Sequence, residues 1–244
     1  MRLINTGPSL IDALLKADGL PAGTRTINLC GEPLSRSLAD RIFAAAPAVR
    51  LINFYGPTET TVYSTWSRVT AKDSGTPAIG TGLWNTQVYV LDAGRELLPA
   101  GAKGELYIGG AGVARGYLNR ADLTQERFIA NPFGDGRLYC TGDLVRWRPD
   151  GELEFLGRAD TQIKINGIRI ELGEIEAHLA TGPSIAAAVA VVRPDKFGVN
   201  RVYSYATAQD GVVLPGFAEI EAHLARNLPR HMIPAAHTCS MRFR

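Results

Sequence analysis

The sequence predicts a mixed fold, α/β followed by α+β, on three observations. A strand, helix, strand succession runs through residues 26–55; short strands separated by turn residues fill 62–157; and an Asn-Gly hairpin signal opens a last module after Asp160. A strand-helix-strand order makes a parallel sheet with loops at the strand ends, where ligands usually sit. Gly31 and Gly56 occupy those loops.

Each element follows from local chemistry. Pro8-Ser9 leads into Leu10, Ile11, Leu14 and Leu15, apolar positions that share one face of a helix. Residues 26–30 read as a strand. After Gly31-Glu32-Pro33, Ser35 is placed to cap a helix whose Leu34, Leu38 and Ile42 recur every fourth residue, and Pro47 stops it. Arg50–Tyr55 returns as strand. Residues 87–91, 104–108, 138–147 and 152–156, punctuated by Asp92-Ala93-Gly94 and Pro149-Asp150-Gly151, predict an antiparallel, barrel-like region. Residues 163–165 and 168–170 flank Asn166-Gly167, a pair suited to a two-residue turn because both positions need positive φ. A helix at 174–180, strands at 185–192 and 201–206 and a helix at 217–228 complete the α+β module.

Composition narrows the function classes. Of 244 residues, 45% are hydrophobic and 8% aromatic, with a formal net charge of +2, so a sizeable core is expected and disorder is not. That balance gives no electrostatic reason to expect nucleic acid or an anionic membrane as partner. The longest small or apolar run, residues 185–192, is eight long, against roughly 20 for a spanning helix. Cys30, Cys140 and Cys239 form no CxxC pair, and the N-terminus breaks at Gly7-Pro8 before a signal-like stretch develops, so a cytoplasmic setting is expected. The heptapeptide Glu-Ile-Glu-Ala-His-Leu-Ala occurs twice, at 174–180 and 219–225. Repeat architectures need about three units, so these are read as two similar amphipathic helices with His178 and His223 as surface or packing residues.

Two segments bear on chemistry. Gly110, Gly112 and Gly116 have the spacing of a dinucleotide loop, but no helix opens directly behind them, so they read as tight backbone turns. Asn53-Phe54-Tyr55-Gly56-Pro57-Thr58-Glu59-Thr60-Thr61 joins a strand end, aromatics, a turn, a hydroxyl cluster and one carboxylate. Tyr55 could stack on a base, Thr58 donate to a phosphate and Glu59 offer magnesium a hard oxygen ligand. The same residues fit a polar turn between two strands equally well.

Five stretches, NFYGPTETT, GELYIGGAGVARGYLNR, YCTGDLVRW, GRADTQIKINGIRIELGEIE and LPRHMIP, occur in this order along the chain, the last ending at Pro234. With them the chain resembles the adenylate-forming enzymes, specifically the amino-acid adenylation domains of nonribosomal peptide synthetases. The resemblance implies a partial adenylate-forming fold, incomplete at both ends: a partial nucleotide-binding body at 1–70, the barrel-like subdomain at 71–157, a hinge at 158–160 and an incomplete C-terminal lid at 161–244. It implies ATP-dependent activation of an amino-acid carboxylate to an acyl-AMP, then thioester transfer to a phosphopantetheine supplied by a peptidyl carrier partner.

Carried onto this sequence, Gly31, Glu32, Pro33, Asn53, Phe54 and Tyr55 surround adenine, Gly56 belongs to the same ATP-binding set, Thr58 touches phosphate and Glu59 binds Mg2+. Asp143 accepts from the ribose hydroxyls, Phe155 lies beside the nucleotide, and Arg158 sits near ribose and phosphate. Thr58, Glu59 and Arg158 are the implied catalytic residues. Asn28, Cys30, Phe54, Val62 and Tyr63 are the implied substrate-pocket residues, Asp160 the hinge, and Asn166, Gly167 and Arg169 the loop facing the carrier's thiol arm. A phosphate loop and an amine-gripping aspartate are expected in an upstream half, and a catalytic lysine after the LPRHMIP stretch. The codons for residues 238–244, read one nucleotide earlier, can encode a continuation resembling the family's, so a frameshift near His237 is expected, as is weak activity of the chain alone. A noncatalytic carrier-docking module and a piece of an acyl-CoA synthetase are the alternative readings.

Overall fold

The computed structural model describes residues 2–160, 162–165, 168–182, 184–195, 200–209, 212 and 216–240. The chain divides into two units, Met1–Asp160 and Thr161–Arg244.

In the first unit, β1 (Leu3–Thr6), α1 (Pro8–Lys16), β2 (Thr26–Leu29), α2 (Arg36–Ala45) and β3 (Arg50–Tyr55) build the α/β layer. Strands β1, β2 and β3 are parallel, with Ile4 opposite Ile27 and Ile27 opposite Leu51. Helix α1 starts at Pro8, whose fixed φ suits a first helical turn. Its cap comes from a distance: the Glu32 carboxylate accepts from the Ser9 backbone N at 2.9 Å and the Ser9 hydroxyl at 2.8 Å. Helix α2 has the expected cap, with Ser35 Oγ accepting from Leu38 N at 3.2 Å. Ile11, Ile27, Leu29, Ile42 and Leu51 are fully buried between helices and sheet, each contributing about 2 kcal/mol by leaving water. A 3-10 turn at Thr58–Thr60 follows, then β4 (Thr65–Val69), antiparallel to β3, and β5 (Thr81–Gly82).

The rest of this unit comprises β6 (Thr86–Leu91), β7 (Gly104–Gly110), α3 (Ala121–Arg127), β8 (Phe128–Ala130), β9 (Arg137–Trp147) and β10 (Leu153–Arg158). These strands are antiparallel in the order β10-β9-β7-β6, with β8 beside β9. The expected antiparallel region is present but forms no closed barrel: the sheet is open, and among the described residues no pairing joins β6 to β10. The physical reason lies at Leu153, whose outer edge is taken by the chain before β5, with Ile79 N bonded to Leu153 O and Leu153 N to Gly80 O, both at 2.8 Å. Gly80 makes that crossing possible, because a Cβ there would fall 1.7 Å from the Trp66 carbonyl oxygen.

The second unit opens with the antiparallel pair β11 (Gln162–Ile165) and β12 (Ile168–Glu171), Ile165 opposite Ile168; Asn166 and Gly167 lie outside the described residues. Then come α4 (Leu172–Ala180), β13 (Ile185–Pro194), β14 (Asn200–Ala208), α5 (Phe217–Leu224), a 3-10 turn at Arg230–Met232 and β15 (Ala236–Ser240). Strand β14 lies between antiparallel β13 and parallel β15. The two similar helices bury Ile175 and Leu179 of α4 and Ile220 and Leu224 of α5 in one core. His223 Nε2 sits 3.0 Å from the His178 carbonyl oxygen and 3.2 Å from Thr181 Oγ, a packing arrangement. Helix α5 stops at Leu224, short of the expected residue 228.

Candidate functional site

Strand β9 carries Asp143 directly opposite Arg158 of β10, in the register set by a bulge between Phe155 and Gly157. Arg158 Nη1 donates to Asp143 Oδ1 at 2.6 Å, while the Tyr55 hydroxyl at the end of β3 donates to Asp143 Oδ2. The remaining guanidinium edge grips Asp160 at both oxygens, Nε to Oδ1 at 2.6 Å and Nη2 to Oδ2 at 2.7 Å. Gly142 has φ +73°, and a Cβ on it would lie 2.7 Å from Arg158 Nη2. Glycine takes that conformation without strain and leaves the guanidinium its place. The Phe155 ring stands 6.4 Å from the Tyr55 ring.

This cluster is little exposed, with side-chain exposures of 10% for Asp143 and 16% for Arg158. Burial, followed by the Asp143 charge, pushes the Tyr55 phenol well above its ordinary pKa. Burial by itself would lower the Arg158 pKa, but the bonds to Asp160 and the charges of Asp143 and Asp160 outweigh it and raise the pKa. Tyr55 therefore remains a neutral donor and Arg158 a fixed cation.

Glu59 lies on the 3-10 turn four residues beyond Tyr55 and is buried. Its Oε1 accepts from the Tyr117 hydroxyl at 2.7 Å, and its backbone oxygen accepts from Ala114 N at 2.8 Å. Thr61 Oγ donates to the Gly112 carbonyl at 2.8 Å, so the glycine-rich segment after β7 braces the turn, as tight backbone and not as a dinucleotide loop. Behind the turn, Thr61 and Val62 both have positive φ, 62° and 69°. For a β-branched valine that is a strained conformation.

The other sequence-predicted residues divide. Asn53 is buried and donates to the Ala78 carbonyl at 2.8 Å. Glu32 is engaged with Ser9, and Gly31 has φ +92° beside exposed Pro33. Thr58 is exposed at the start of the turn, and Val62 is 57% exposed. Phe54 stacks on Tyr63 with ring centroids 4.5 Å apart, and the Tyr63 hydroxyl donates to Asn5 Oδ1 at 2.9 Å. Asn28 and Cys30 are half-buried, and Asn28 pairs in register with Asn5. The Arg169 side chain, Asn166 and Gly167 lie outside the described residues. The structure thus joins Tyr55, Phe155, Asp143, Arg158 and Asp160 in one cluster and places Glu59 on the adjoining turn. Sequence reasoning missed Tyr117, which lies 58 residues from its partner Glu59 and follows a glycine segment whose spacing pointed elsewhere.

Comparison with known proteins gives this geometry a family. The AMP-binding enzyme family model matches residues 1–118. A linear gramicidin synthase of Brevibacillus parabrevis is 47% identical over 241 residues, covering 96% of this chain and 5% of that protein. The chain belongs to the adenylate-forming, AMP-binding enzymes. Among solved structures, PA1221, described as a nonribosomal peptide synthetase protein containing adenylation and PCP domains, superposes with a TM-score of 0.85 at 29% identity, over 99% of this chain and 48% of that one. The Vibrio cholerae adenylation domain AlmE, solved with glycyl-adenosine-5'-phosphate, has a TM-score of 0.85 at 26% identity, over 100% of this chain and 47% of AlmE. This AMP-binding family member therefore spans about half the length of the solved domains and a small part of the gramicidin synthase.

Proposed function

We propose that the chain forms the ribose and metal side of an amino-acid adenylation site in a nonribosomal peptide synthetase. The reaction is ATP-dependent activation of an amino-acid carboxylate to an acyl-adenylate, followed by transfer to the phosphopantetheine thiol of a carrier protein. The observation that carries this reading is Asp143, a shielded carboxylate with Tyr55 and Arg158 as donors at its two oxygens. A carboxylate has about four acceptor positions, a capacity suited to two ribose hydroxyls beside protein donors. The description of AlmE with a glycyl-adenylate and of PA1221 with a PCP domain supports both halves of the reaction.

The chain's own residues divide the work. Asp143 orients the ribose, Arg158 holds Asp143 in place and offers positive charge near the phosphates, and Phe155 and Tyr55 flank the nucleotide. Thr58, with an exposed hydroxyl, donates to phosphate. Phe54, Tyr63, Val62, Asn28 and Cys30 shape the acyl pocket. The donor chemistry of Glu59 fits a hard divalent cation, because a buried carboxylate anchored on one side presents oxygen ligands of fixed direction. Magnesium, when bound there, offsets the repulsion between the phosphates and an incoming carboxylate. Asp160, the last residue of the first unit, serves as the hinge, and Asn166, Gly167 and Arg169 form the loop that meets the thiol arm.

The test is amino-acid-dependent exchange of pyrophosphate into ATP by the purified chain mixed with the N-terminal half of a related adenylation domain. Exchange with amino acids and not with fatty or aryl acids is expected, reduced roughly a hundredfold by Glu59→Gln, in line with the loss of one charge-stabilising group. Exchange supported by fatty or aryl acids in place of amino acids would contradict the reading.

A further inference from the structure

A phenol outside every expected contact touches the carboxylate assigned to the metal. Tyr117 lies beyond β7, in the segment leading to α3, and its hydroxyl is 2.7 Å from Glu59 Oε1. Three further contacts fix that hydroxyl. The ring packs edge-on against Phe128, with centroids 5.4 Å apart. The Tyr117 backbone N donates to Thr124 Oγ at 2.9 Å, and Thr124 Oγ donates in turn to the Arg120 carbonyl at 2.8 Å, tying Tyr117 to the first turn of α3. The hydroxyl of fully buried Tyr139, on β9, stands 3.4 Å from the Tyr117 hydroxyl. Gly116 leaves room for this arrangement, since a Cβ there would lie 2.4 Å from the Thr124 methyl.

The consequence is geometric. Glu59 sits on a single 3-10 turn, and the residues behind it, Thr61 and Val62, are in left-handed conformations. A turn so short does not by itself fix a carboxylate's rotation. The bond from Tyr117 restricts that rotation, since it holds Oε1 from one side. We infer that Tyr117 is a positioning residue: it orients the Glu59 carboxylate for a divalent cation through a hydrogen bond, without touching the cation or the nucleotide. This inference rests on the assignment of Glu59 as a metal ligand.

Partners of this kind typically change metal affinity ten- to a hundredfold when removed. The test is a titration of Mn2+ into the AMP-saturated full chain, with free Mn2+ counted by its electron paramagnetic resonance signal, for the unaltered protein, Tyr117→Phe and Glu59→Gln. AMP affinity in the absence of any divalent ion is measured alongside. Tyr117→Phe keeps the ring against Phe128 and removes only the hydroxyl. It is expected to weaken Mn2+ binding about tenfold with metal-free AMP affinity unchanged, a split that a merely structural role would not produce. Unchanged Mn2+ affinity in Tyr117→Phe, or equal loss of Mn2+ and metal-free AMP binding, overturns the positioning role. Failure of the unaltered chain to bind Mn2+ at all, or Mn2+ binding undiminished in Glu59→Gln, removes the metal assignment and the inference with it, and so separates the two failures.

Discussion

Asp143 shows how one residue's surroundings decide its use. Arg158 and Tyr55 approach different oxygens of one carboxylate, with Arg158 also committed to Asp160. Removing the cation from a shielded carboxylate is destabilising, so Arg158→Ala is expected to lower unfolding stability by about 3 kcal/mol. Tyr55→Phe, which deletes one donor, should cost about 1–2 kcal/mol. Because both act on the same group, the double variant should depart from the sum of the two single losses. Urea unfolding of the four proteins checks this, and strict additivity would mean the two contacts are independent. The sequence named Tyr55, Asp143 and Arg158 but could not show that they touch, since 88 residues separate Tyr55 from Asp143.

Among the elements, those with a strong local signal were legible. Ser35 caps α2 as its hydroxyl and spacing require, and β3 occupies Arg50–Tyr55 as expected. Elements lacking such a signal were not. Helix α3 has no buried residue and so shows no apolar period, and β1 is only four residues long, next to a proline that draws attention to the helix. Strand β15 owes its existence to pairing with β14 across 33 residues, from Ser204 to His237. That strand carries a pH-sensitive group. His237 Nδ1 lies 2.7 Å from Ser204 Oγ, and burial lowers its pKa below the ordinary 6.5. The unfolded chain then binds the proton more readily than the folded one. Stability from neutral His237 is full above pH about 6.5 and is lost as pH falls through the lower, folded-state value. Amide protection in β14 and β15, corrected for the slower intrinsic exchange at lower pH, should therefore be weaker at pH about 5.5 than at about 7.5, on either side of the ordinary histidine value, and His237→Gln should remove the difference. Equal corrected protection at both values would contradict it.

At the scale of the whole molecule, the hydrophobic clusters respect the division at Asp160. Ile170, Ile175, Leu179, Ile220 and Leu224 form one cluster within the second unit, whereas Ile11, Ile27, Leu51 and the β7–β9 cluster around Leu106 and Val145 lie within the first. Units with separate cores unfold separately unless an interface couples them. Calorimetry of the full chain should resolve two transitions, and a single transition would mean that the units unfold as one. The order of strands, turns and motifs made the α/β and α+β character legible from sequence. The open second sheet was not, because it depends on which edge Ile79 and Gly80 take, a choice made by packing across distant segments. Among the described residues, no helix is long and apolar enough to cross a membrane.

The proposed function rests on a nucleotide being held by the Asp143 carboxylate. Calorimetric titration of AMP into the full chain and its Asp143→Ala variant, both checked for folding by circular dichroism, tests that most directly. One AMP per chain is expected, with affinity at least about tenfold weaker in the variant, the loss of a charge-assisted hydrogen bond. Equal affinity in the two proteins, or no AMP binding by the unaltered chain, would contradict it.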